Sequence, residues 1–155
     1  MQTRITTRVI VYDEDKILLC RNHGQHFWYP GGGGLEDNED LIQCCKREVL
    51  EETNQEIEVL DLMYIQEYYL QEEKKRNIEL FFLAKPKKQI QENQDHKDTD
   101  TDDRPKVVEN RWFSQEDIEK DNIKIYPLFI KEKFWKDVIK FDKDKKTYWK
   151  GVEGN

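Results

Sequence analysis

The sequence predicts an α/β domain, because segments of strand character stand before and after one segment whose apolar residues recur with the period of a helix. Branched and apolar side chains are concentrated in the strand segments. From Asn38 to about Asn54 the spacing changes to that of a helix. The strand candidates are residues 5–12, 16–20, 56–70, 77–85 and 107–113. At 155 residues, the chain is long enough for one such domain to bury a core without disulfides.

Composition and charge restrict the partners. The chain is 36% hydrophobic and 38% charged, with a formal net charge of −7. Nucleic-acid affinity depends on Lys and Arg displacing counterions, so no long nucleic acid is expected as a partner. The three cysteines include no CxxC pair, which indicates neither a disulfide framework nor a zinc site and is typical of a cytoplasmic protein. No apolar run has the length of a membrane span.

The strand candidates pair by sequence proximity into two predicted β-hairpins. Turn residues 13–15 join the first two strands, and the charged segment QEEKKR joins residues 56–70 to 77–85. Between the hairpins, Phe27 to Pro30 indicate a short aromatic strand that runs into four consecutive glycines, Gly31 to Gly34. We interpret the glycines as a tight turn that brings main-chain groups close to a ligand.

The helix after the glycines has sequence signals at both ends. Asp37 or Asn38 is expected to cap it, with Glu39 and Asp40 in its first turn. Asn54 is suited to a left-handed C-terminal stop. The predicted buried face holds Ile42, Cys45 and Val49.

The C-terminal half contains a polar segment and two further helices. Residues of about 86–106 are almost devoid of apolar side chains and are predicted to form a flexible loop. Ser114 and Asp117 have the spacing of a capping box for a short helix, and Pro127 is suited to open the last helix. The apolar stripe of that last helix is Ile130, Phe134, Val138 and Phe141. Residues 1–141 are interpreted as a single domain and 142–155 as a frayed C-terminal tail.

Three carboxylates crowd one side of the first helix. Glu48, Glu51 and Glu52 stand at i, i+3 and i+4, where like charges repel and lower helix stability. A purely structural helix has no cause to gather them there, which suggests that a cation offsets the repulsion. Carboxylate oxygens without His or Cys favour Mg²⁺ or Mn²⁺ over zinc or copper. Arg47 and Glu39 are about two turns apart, so an ion pair between them would hold the glycine segment against the helix.

These residues resemble the Nudix box, G-x5-E-x7-R-E-U-x-E-E-x-G-U, where U is aliphatic. The matching residues are Gly33, Glu39, Arg47, Glu48, Val49, Glu51 and Glu52. Two positions depart from it: Asn54 replaces a glycine and Gln55 replaces an aliphatic residue. Asn tolerates the left-handed conformation better than most residues, and neither departure is at an expected ligand.

The resemblance implies an α/β/α sandwich with a central mixed β-sheet and a hydrolase that cleaves the phosphoanhydride bond of a nucleoside diphosphate linked to another moiety. Glu48, Glu51, Glu52 and the carbonyl of Gly32 are its implied metal ligands, with Mg²⁺ or Mn²⁺ as the cofactor. Glu48 or Glu52 would also orient or deprotonate the attacking water. The implied structural supports are Gly33, Glu39 and Arg47.

Other assignments stay open at the level of sequence. Trp28 and Tyr29 fit either core packing or a wall that stacks on a substrate. Tyr68 and Tyr69 fall on opposite faces of a strand, and either could face the substrate. Glu109 fits either an additional acidic site residue or a surface charge on a strand, and Glu92 is a second candidate.

Two other functions are compatible with the sequence: a nucleotide-sensing Nudix module without catalysis, and an RNA 5′-end pyrophosphohydrolase, which the acidic balance disfavours. The exposed strand edges also permit a homodimer. The aromatic residues alone do not select one nucleoside diphosphate derivative.

Overall fold

The computed structural model describes residues 1–88 and 107–154 of the chain. In these ranges the strands are β1 (Gln2–Asp13), β2 (Lys16–Asn22), β3 (Gly32–Gly34), β4 (Ile57–Leu70), β5 (Lys75–Pro86) and β6 (Val107–Ser114). The helices are α1 (Leu41–Thr53), α2 (Gln115–Lys120) and α3 (Phe129–Ile139). The flexible loop predicted at about 86–106, and with it Glu92, falls almost entirely outside the described residues.

The strands form one mixed sheet in the order β4, β5, β1, β2, β6, with β3 paired to β1. β1 runs parallel to β5 over ten residue pairs, from Gln2 opposite Lys75 to Val11 opposite Ala84. The other paired strands are antiparallel, and β4 with β5 forms the predicted second hairpin. The parallel pairing places β1, which precedes the sequence motif, beside β5, which follows it, near the centre of the sheet.

The first hairpin is shorter than predicted, because β1 and β2 diverge after two residue pairs next to their turn. Residues 29–34 lie between the diverging strands: Tyr29 pairs with Cys20 of β2, and β3 pairs with β1. The prediction of a tight turn at Gly31 to Gly34 is therefore wrong, since Gly32 to Gly34 form a strand. Glycine is needed there because the strand passes closer to its neighbours than a side chain would allow.

The helices cover both faces of the sheet, which confirms the α/β/α sandwich. Alternate residues of β1 point to opposite sides, so Ile10 belongs to one core cluster while Val9 and Val11 belong to the other. On the first side the sheet packs against buried residues of α2 and α3, namely Ile118, Ile130, Phe134 and Trp135. On the second side it packs against Cys45 and Val49 of α1.

The start of α1 differs from the prediction, whereas its end agrees. Asp40 caps the helix through its side chain, which accepts a hydrogen bond from the Gln43 N–H. Asn38 cannot be the cap because it is left-handed, with φ of 69°. Glu39 lies before the helix and not in its first turn, since the helix begins at Leu41. Asn54 ends the helix in the predicted left-handed conformation, with φ of 57°.

The predicted frayed tail is wrong for residues 147–150. The backbone N–H groups of Thr147 and Tyr148 both donate to the Asp61 carboxylate, at 2.7 and 2.8 Å. The Tyr148 ring packs edge-on against Phe82 in the core cluster on the α1 side. Lys150 donates to the capping Asp40 at 2.8 Å. The chain end therefore reaches back to the start of α1.

The predicted capping box of Ser114 and Asp117 is present at α2. α3 begins two residues after Pro127. In the parts of the chain that the structure describes, each helix is too short or too polar to cross a membrane.

Candidate active site

A cavity of about 870 Å³ opens beside β3 (Gly32–Gly34), which we call the glycine strand. Residues of β1, β4, β5 and α1 line it, together with residues around 22–30 and 126–129. This volume is in the range of small-molecule sites. The polar lining residues are Arg4, Thr6, Arg8, Asn22, Gln25, Glu48, Glu52, Gln66, Asn77 and Glu79. The aromatic lining residues are Phe27, Tyr29, Tyr68, Tyr126 and Phe129.

Two of the three predicted glutamates, Glu48 and Glu52, line this cavity and are each only 4% exposed. Glu52 accepts a hydrogen bond from the Gly32 N–H at 2.7 Å. Glu48 lies directly against Gly33, where an added Cβ would stand 2.3 Å from its Oε1 atom. The glycine strand and α1 are thus in contact through the two carboxylates, and Gly33 is required to be a glycine by the position of Glu48.

Arg47 connects the carboxylates to the glycine segment. It donates to both oxygens of Glu39, at 2.9 and 2.7 Å, and to the Gly34 carbonyl at 3.1 Å. It also donates to Glu48 at 2.8 Å and, less closely, to Glu51 at 3.4 Å. The hydrogen bonds that Arg47 donates lower the pKa of Glu39 to about 2. The carboxylates of Glu39 and Glu48 in turn raise the pKa of Arg47. The structure therefore contains the predicted ion pair, and the same arginine also contacts Gly34, Glu48 and Glu51.

Glu51 is placed differently from its two neighbours. Its side chain is 24% exposed, contacts Arg47, and is not among the residues that line the cavity. In the described residues, no three His, Cys, Asp or Glu side chains converge closely enough to enclose a metal ion. Glu48 and Glu52 nevertheless fit a hard divalent cation, because both are buried carboxylates and both face the same cavity.

A second buried acid, Glu79 of β5, faces the cavity from the sheet. It is 6% exposed and accepts a hydrogen bond from Arg8 Nε at 3.2 Å, across 71 positions of sequence. Arg8 also donates to the Gly32 carbonyl at 3.4 Å. Burial lowers the pKa of Arg8, but the charges of Glu79 and Glu52 outweigh it, so the pKa is raised. Arg8 therefore stays charged and links the sheet to the glycine strand.

The neighbouring row of the sheet carries a hydrogen-bonded chain of polar side chains. The Thr6 hydroxyl donates to the Asn77 carbonyl at 3.1 Å, and the Asn77 amide donates to the Tyr68 hydroxyl at 3.0 Å. Of the two strand tyrosines, Tyr68 lines the cavity and Tyr69 is 49% exposed. The sequence interpretation missed Thr6, Arg8, Asn77 and Glu79. Their signal was present, because Arg8 is in phase with Ile10, and Asn77 and Glu79 with Phe81, all of which face the core.

The two aromatic candidates separate. Trp28 is 6% exposed and packs edge-on against Phe113 in the core, so its placement is that of a core residue and not of a substrate wall. Tyr29 lines the cavity, and its hydroxyl donates to Asn22. Phe27, which the sequence interpretation did not select, contributes a second ring to the cavity wall.

Glu109 does not line the cavity. It lies on β6, where its carboxylate forms ion pairs with Arg21 and Arg111. This placement of Glu109 gives no support to the candidate role of an additional acid. Glu79 is the acid outside α1 that the described structure brings to the cavity.

Comparison with known proteins agrees with the resemblance seen in the sequence motif. The sequence model of the NUDIX domain matches residues 2–131. A NUDIX hydrolase structure from Nitrosomonas europaea is similar over 97% of this chain and 100% of its own, with 21% identity and a TM-score of 0.68. No match was found among curated proteins.

Two further similar structures carry more specific names. A UDP-X diphosphatase is 21% identical over 87% of this chain and 61% of its own, with a TM-score of 0.62. An ADP-ribose pyrophosphatase from Streptococcus suis is 20% identical over 79% of each chain, with a TM-score of 0.55. At these identities the likeness establishes the fold.

Proposed function

The chain belongs to the Nudix hydrolases, which act on phosphorus-containing acid anhydrides, and we propose that it cleaves the phosphoanhydride bond of a nucleoside diphosphate linked to another moiety, with a divalent metal ion as cofactor. One observation carries this proposal. Two buried carboxylates, Glu48 and Glu52, stand side by side in the wall of a nucleotide-sized cavity, held against a glycine strand. Buried carboxylates are destabilising unless hydrogen bonds or cations compensate them.

The residues that would hold the metal ion are Glu48, Glu51, Glu52 and the Gly32 carbonyl, with Mg²⁺ or Mn²⁺ as the ion that their oxygens suit. When bound, such an ion neutralises charge on the diphosphate and lowers the pKa of bound water. Glu48 and Glu52 already line the cavity. Glu51 would join them from its present position beside Arg47.

The chain's own residues would divide the remaining work. Glu48 or Glu52 accepts the proton of the attacking water or orients it, since a carboxylate oxygen is the acceptor available at that wall. Arg47 fixes Glu48 and the glycine segment in place. Arg4 and Arg8, which also line the cavity, supply positive charge for a diphosphate in a chain whose net charge is −7.

The substrate class rests on the size and chemistry of the cavity. Its aromatic rings suit a nucleobase and its arginines suit phosphates. The names of the similar structures, an ADP-ribose pyrophosphatase and a UDP-X diphosphatase, both denote enzymes of nucleoside diphosphate derivatives, and we propose substrates of this class here. The domain bounds of 1–141, the cytoplasmic location and the homodimer stay predictions.

Replacement of Glu52 by Gln tests the proposal. Phosphate or nucleotide release is measured with a panel of nucleoside diphosphate derivatives and Mg²⁺, with EDTA as the metal-free control. We expect the wild type to turn over at least one compound, EDTA to abolish the reaction, and Glu52→Gln to lower the rate by about 100-fold or more. Glu58→Gln, at an exposed ion pair with Lys85, is the matched control and keeps the wild-type rate.

Circular dichroism and thermal unfolding establish that both variants are folded. Near-normal turnover by Glu52→Gln would contradict the assigned role. Tight nucleotide binding by the wild type with no turnover in Mg²⁺ would instead favour a sensing module.

A further inference from the structure

One end of the cavity is aromatic. The Phe27 ring lies 4.8 Å from that of Tyr126 and 6.3 Å from that of Tyr29, measured between centroids. All three rings line the cavity, and we call them the aromatic wall. Arg8 of β1 lies at this end, because its Cζ atom is 5.7 Å from the centroid of the Tyr29 ring. Every nucleobase has a π face that can stack on such rings, so the aromatic wall is suited to the base of a nucleotide.

The other end of the cavity is polar. In the sheet register Tyr68 stands opposite Asn77, and Asn77 stands opposite Arg4, so the three residues form one row across β4, β5 and β1. All three line the cavity, and we call them the polar row. Arg4 precedes Arg8 by four positions of β1, which places their Cα atoms about 13 Å apart. The polar row and the aromatic wall are therefore separated within one cavity.

The carboxylates of α1 lie between these two ends. The glycine strand runs antiparallel to β1 and begins opposite Arg8. Glu52 contacts the first glycine of this strand, and Glu48 contacts the second. Arg4 contacts the third, Gly34, since an added Cβ there would stand 2.7 Å from the Nη2 atom of the arginine. Along the glycine strand the order is thus Glu52, Glu48 and Arg4, leading from the end next to the aromatic wall to the polar row.

Arg4 is suited to bind a phosphoryl group, because it has no acidic partner among the described residues. Arg8 donates to Glu79 at 3.2 Å, whereas the Arg4 side chain forms no ion pair or hydrogen bond with the residues that the structure describes. The Arg4 guanidinium lies against the Gly34 backbone, and the residue lines the cavity. A guanidinium only donates hydrogen bonds, and its fork of N–H groups matches the oxygens of a phosphate.

Tyr68 is suited to bind the moiety attached to that phosphoryl group. The Asn77 amide donates to the Tyr68 oxygen at 3.0 Å, which leaves the phenolic hydrogen for another acceptor. Burial raises the pKa of Tyr68, and the positive charges of Arg8 and Arg4 only partly offset this effect. The hydroxyl therefore keeps its hydrogen at neutral pH. A neutral donor in the same row as Arg4 fits a moiety rich in hydroxyl groups, such as a sugar.

We propose that the substrate is a nucleoside diphosphate sugar that lies along β1, with its base at the aromatic wall and its linked sugar at the polar row. Arg4 binds the phosphoryl group that carries the linked sugar, and Tyr68 donates to an oxygen of that sugar. Glu48 and Glu52 then lie between base and sugar, where the diphosphate of such a substrate is. This inference rests on the proposed function, since it orients the same substrate and names its linked moiety.

The two halves of ADP-ribose, AMP and ribose 5-phosphate, test the orientation separately. Their binding is measured by calorimetric titration in the presence of Mg²⁺. Arg4→Gln should weaken ribose 5-phosphate by about tenfold or more, because a charged hydrogen bond is lost, and should leave AMP within about twofold of the wild type. Phe27→Ala should do the reverse, since the loss of a stacking ring weakens the binding of a base by about tenfold.

Arg76→Gln is the control for charge. It removes the same charge at the neighbouring position of β5, where the guanidinium lies 5.3 Å from the centroid of the Tyr69 ring and does not line the cavity. Both affinities should stay as in the wild type, and thermal unfolding establishes that all variants are folded. The inference would be overturned if Arg4→Gln weakened AMP as much as ribose 5-phosphate, if it weakened neither, or if ribose 5-phosphate did not bind to the wild type.

Tyr68→Phe separates the sugar from its phosphoryl group. It removes one hydroxyl at nearly constant shape and should weaken ribose 5-phosphate by about threefold or more, while inorganic phosphate binds as before. Arg4→Gln should weaken both of these ligands. An unchanged affinity of Tyr68→Phe for ribose 5-phosphate would refute the assignment of the polar row to a sugar.

These titrations need no turnover, so they separate the orientation from the proposed hydrolysis. If the wild type hydrolyses no compound but Arg4→Gln and Phe27→Ala weaken opposite halves, the proposed hydrolysis fails and the orientation survives. If hydrolysis occurs and the two variants do not weaken opposite halves, the orientation fails and the proposed function survives.

Discussion

Replacement of Gly33 by Ala is a sharp test of how the glycine strand controls the carboxylates. A Cβ atom at this position would lie 2.3 Å from Glu48 Oε1, 2.4 Å from its Cδ and 2.7 Å from its Oε2. Carbon to oxygen contacts of about 3.3 Å are the close limit, so the carboxylate must move by about 1 Å. The obstacle is the end of a flexible side chain and not backbone, so Glu48 moves and the strand stays.

The expected magnitude follows from this displacement. A misplacement of about 1 Å at a reacting group lowers the rate by about 100-fold, which corresponds to about 2.7 kcal/mol of transition-state stabilisation. Overpacking at a site that yields costs about 1 kcal/mol of folding free energy, near the low end of its usual range. Gly33→Ala should therefore be folded and nearly inactive.

The assay is kcat/KM for the best substrate with Mg²⁺, alongside thermal unfolding. Gly31→Ala is the matched control, because its Cβ would meet the nearest atoms, Cys20 Sγ and Glu52 Oε1, at 3.4 Å, an ordinary contact. We expect the control to keep activity within a few-fold of the wild type. If Gly33→Ala retained normal activity, or if both variants lost activity equally, the argument from Glu48 would be refuted.

Three further predictions concern stability. Gly32→Ala should lower the free energy of unfolding by about 3 kcal/mol or more, measured by chemical denaturation. The added Cβ would stand 2.0 Å from the Thr7 carbonyl oxygen, and this backbone atom of β1 cannot move aside as a side chain can. The φ of Gly32, +150°, is also one that residues with a side chain rarely adopt. Glu39→Gln should lower stability at neutral pH by about 2 kcal/mol. Because the folded pKa of Glu39 is about 2 against an ordinary 4.5, the contribution of its bond to Arg47 is present above pH 4.5 and is lost as the pH falls towards 2. The wild type and Glu39→Gln should therefore converge in stability in acid, and parallel unfolding curves down to pH 2 would contradict this. Asp61→Ala should release residues 147–150 from the sheet, because it removes the carboxylate that accepts from Thr147 and Tyr148. Limited proteolysis should then remove the residues after 146 faster than in the wild type. An unchanged digestion rate would exclude a holding role for this carboxylate.

Local signals in the sequence were sufficient for most elements of the fold. The β4–β5 hairpin, the end of α1 at Asn54 and the capping box at Ser114 depend on residues close in sequence, and each was predicted correctly. The start of α1 was not, because Asn38, Asp40 and their neighbours are all acceptable caps by residue type. In the structure Asp40 forms a reciprocal capping box with Gln43, while Glu39, just before it, pairs with Arg47.

The candidate site was predictable only where its residues share one helix or one loop. Glu48 and Glu52 follow from spacing along α1, and the Arg47 to Glu39 pair follows from the eight-residue separation between the helix and the segment just before it. Glu79 did not, because a single glutamate in a strand is more often a surface charge. Its phase with Phe81 along β5 indicates an inward direction, but its place beside Arg8 depends on the parallel pairing of β1 with β5, a contact between distant segments.

The polar residues of β1 and β5 suggest how the sheet itself marks a site. Along β1 the side chains on the face of Ile10 become polar towards the start of the strand, and along β5 those on the face of Phe81 become polar towards its own start. The two strands are parallel, so both changes occur at the same end of the sheet. A core that only needed stability would continue the apolar residues to that end, since buried polar groups gain little over well-packed apolar ones. Arg8 donates a hydrogen bond to Glu79 there, and both side chains also line the cavity. Polar residues therefore replace apolar packing at the end of the sheet where α1 places Glu48 and Glu52. A charged ligand that binds at this end would interact with these polar residues.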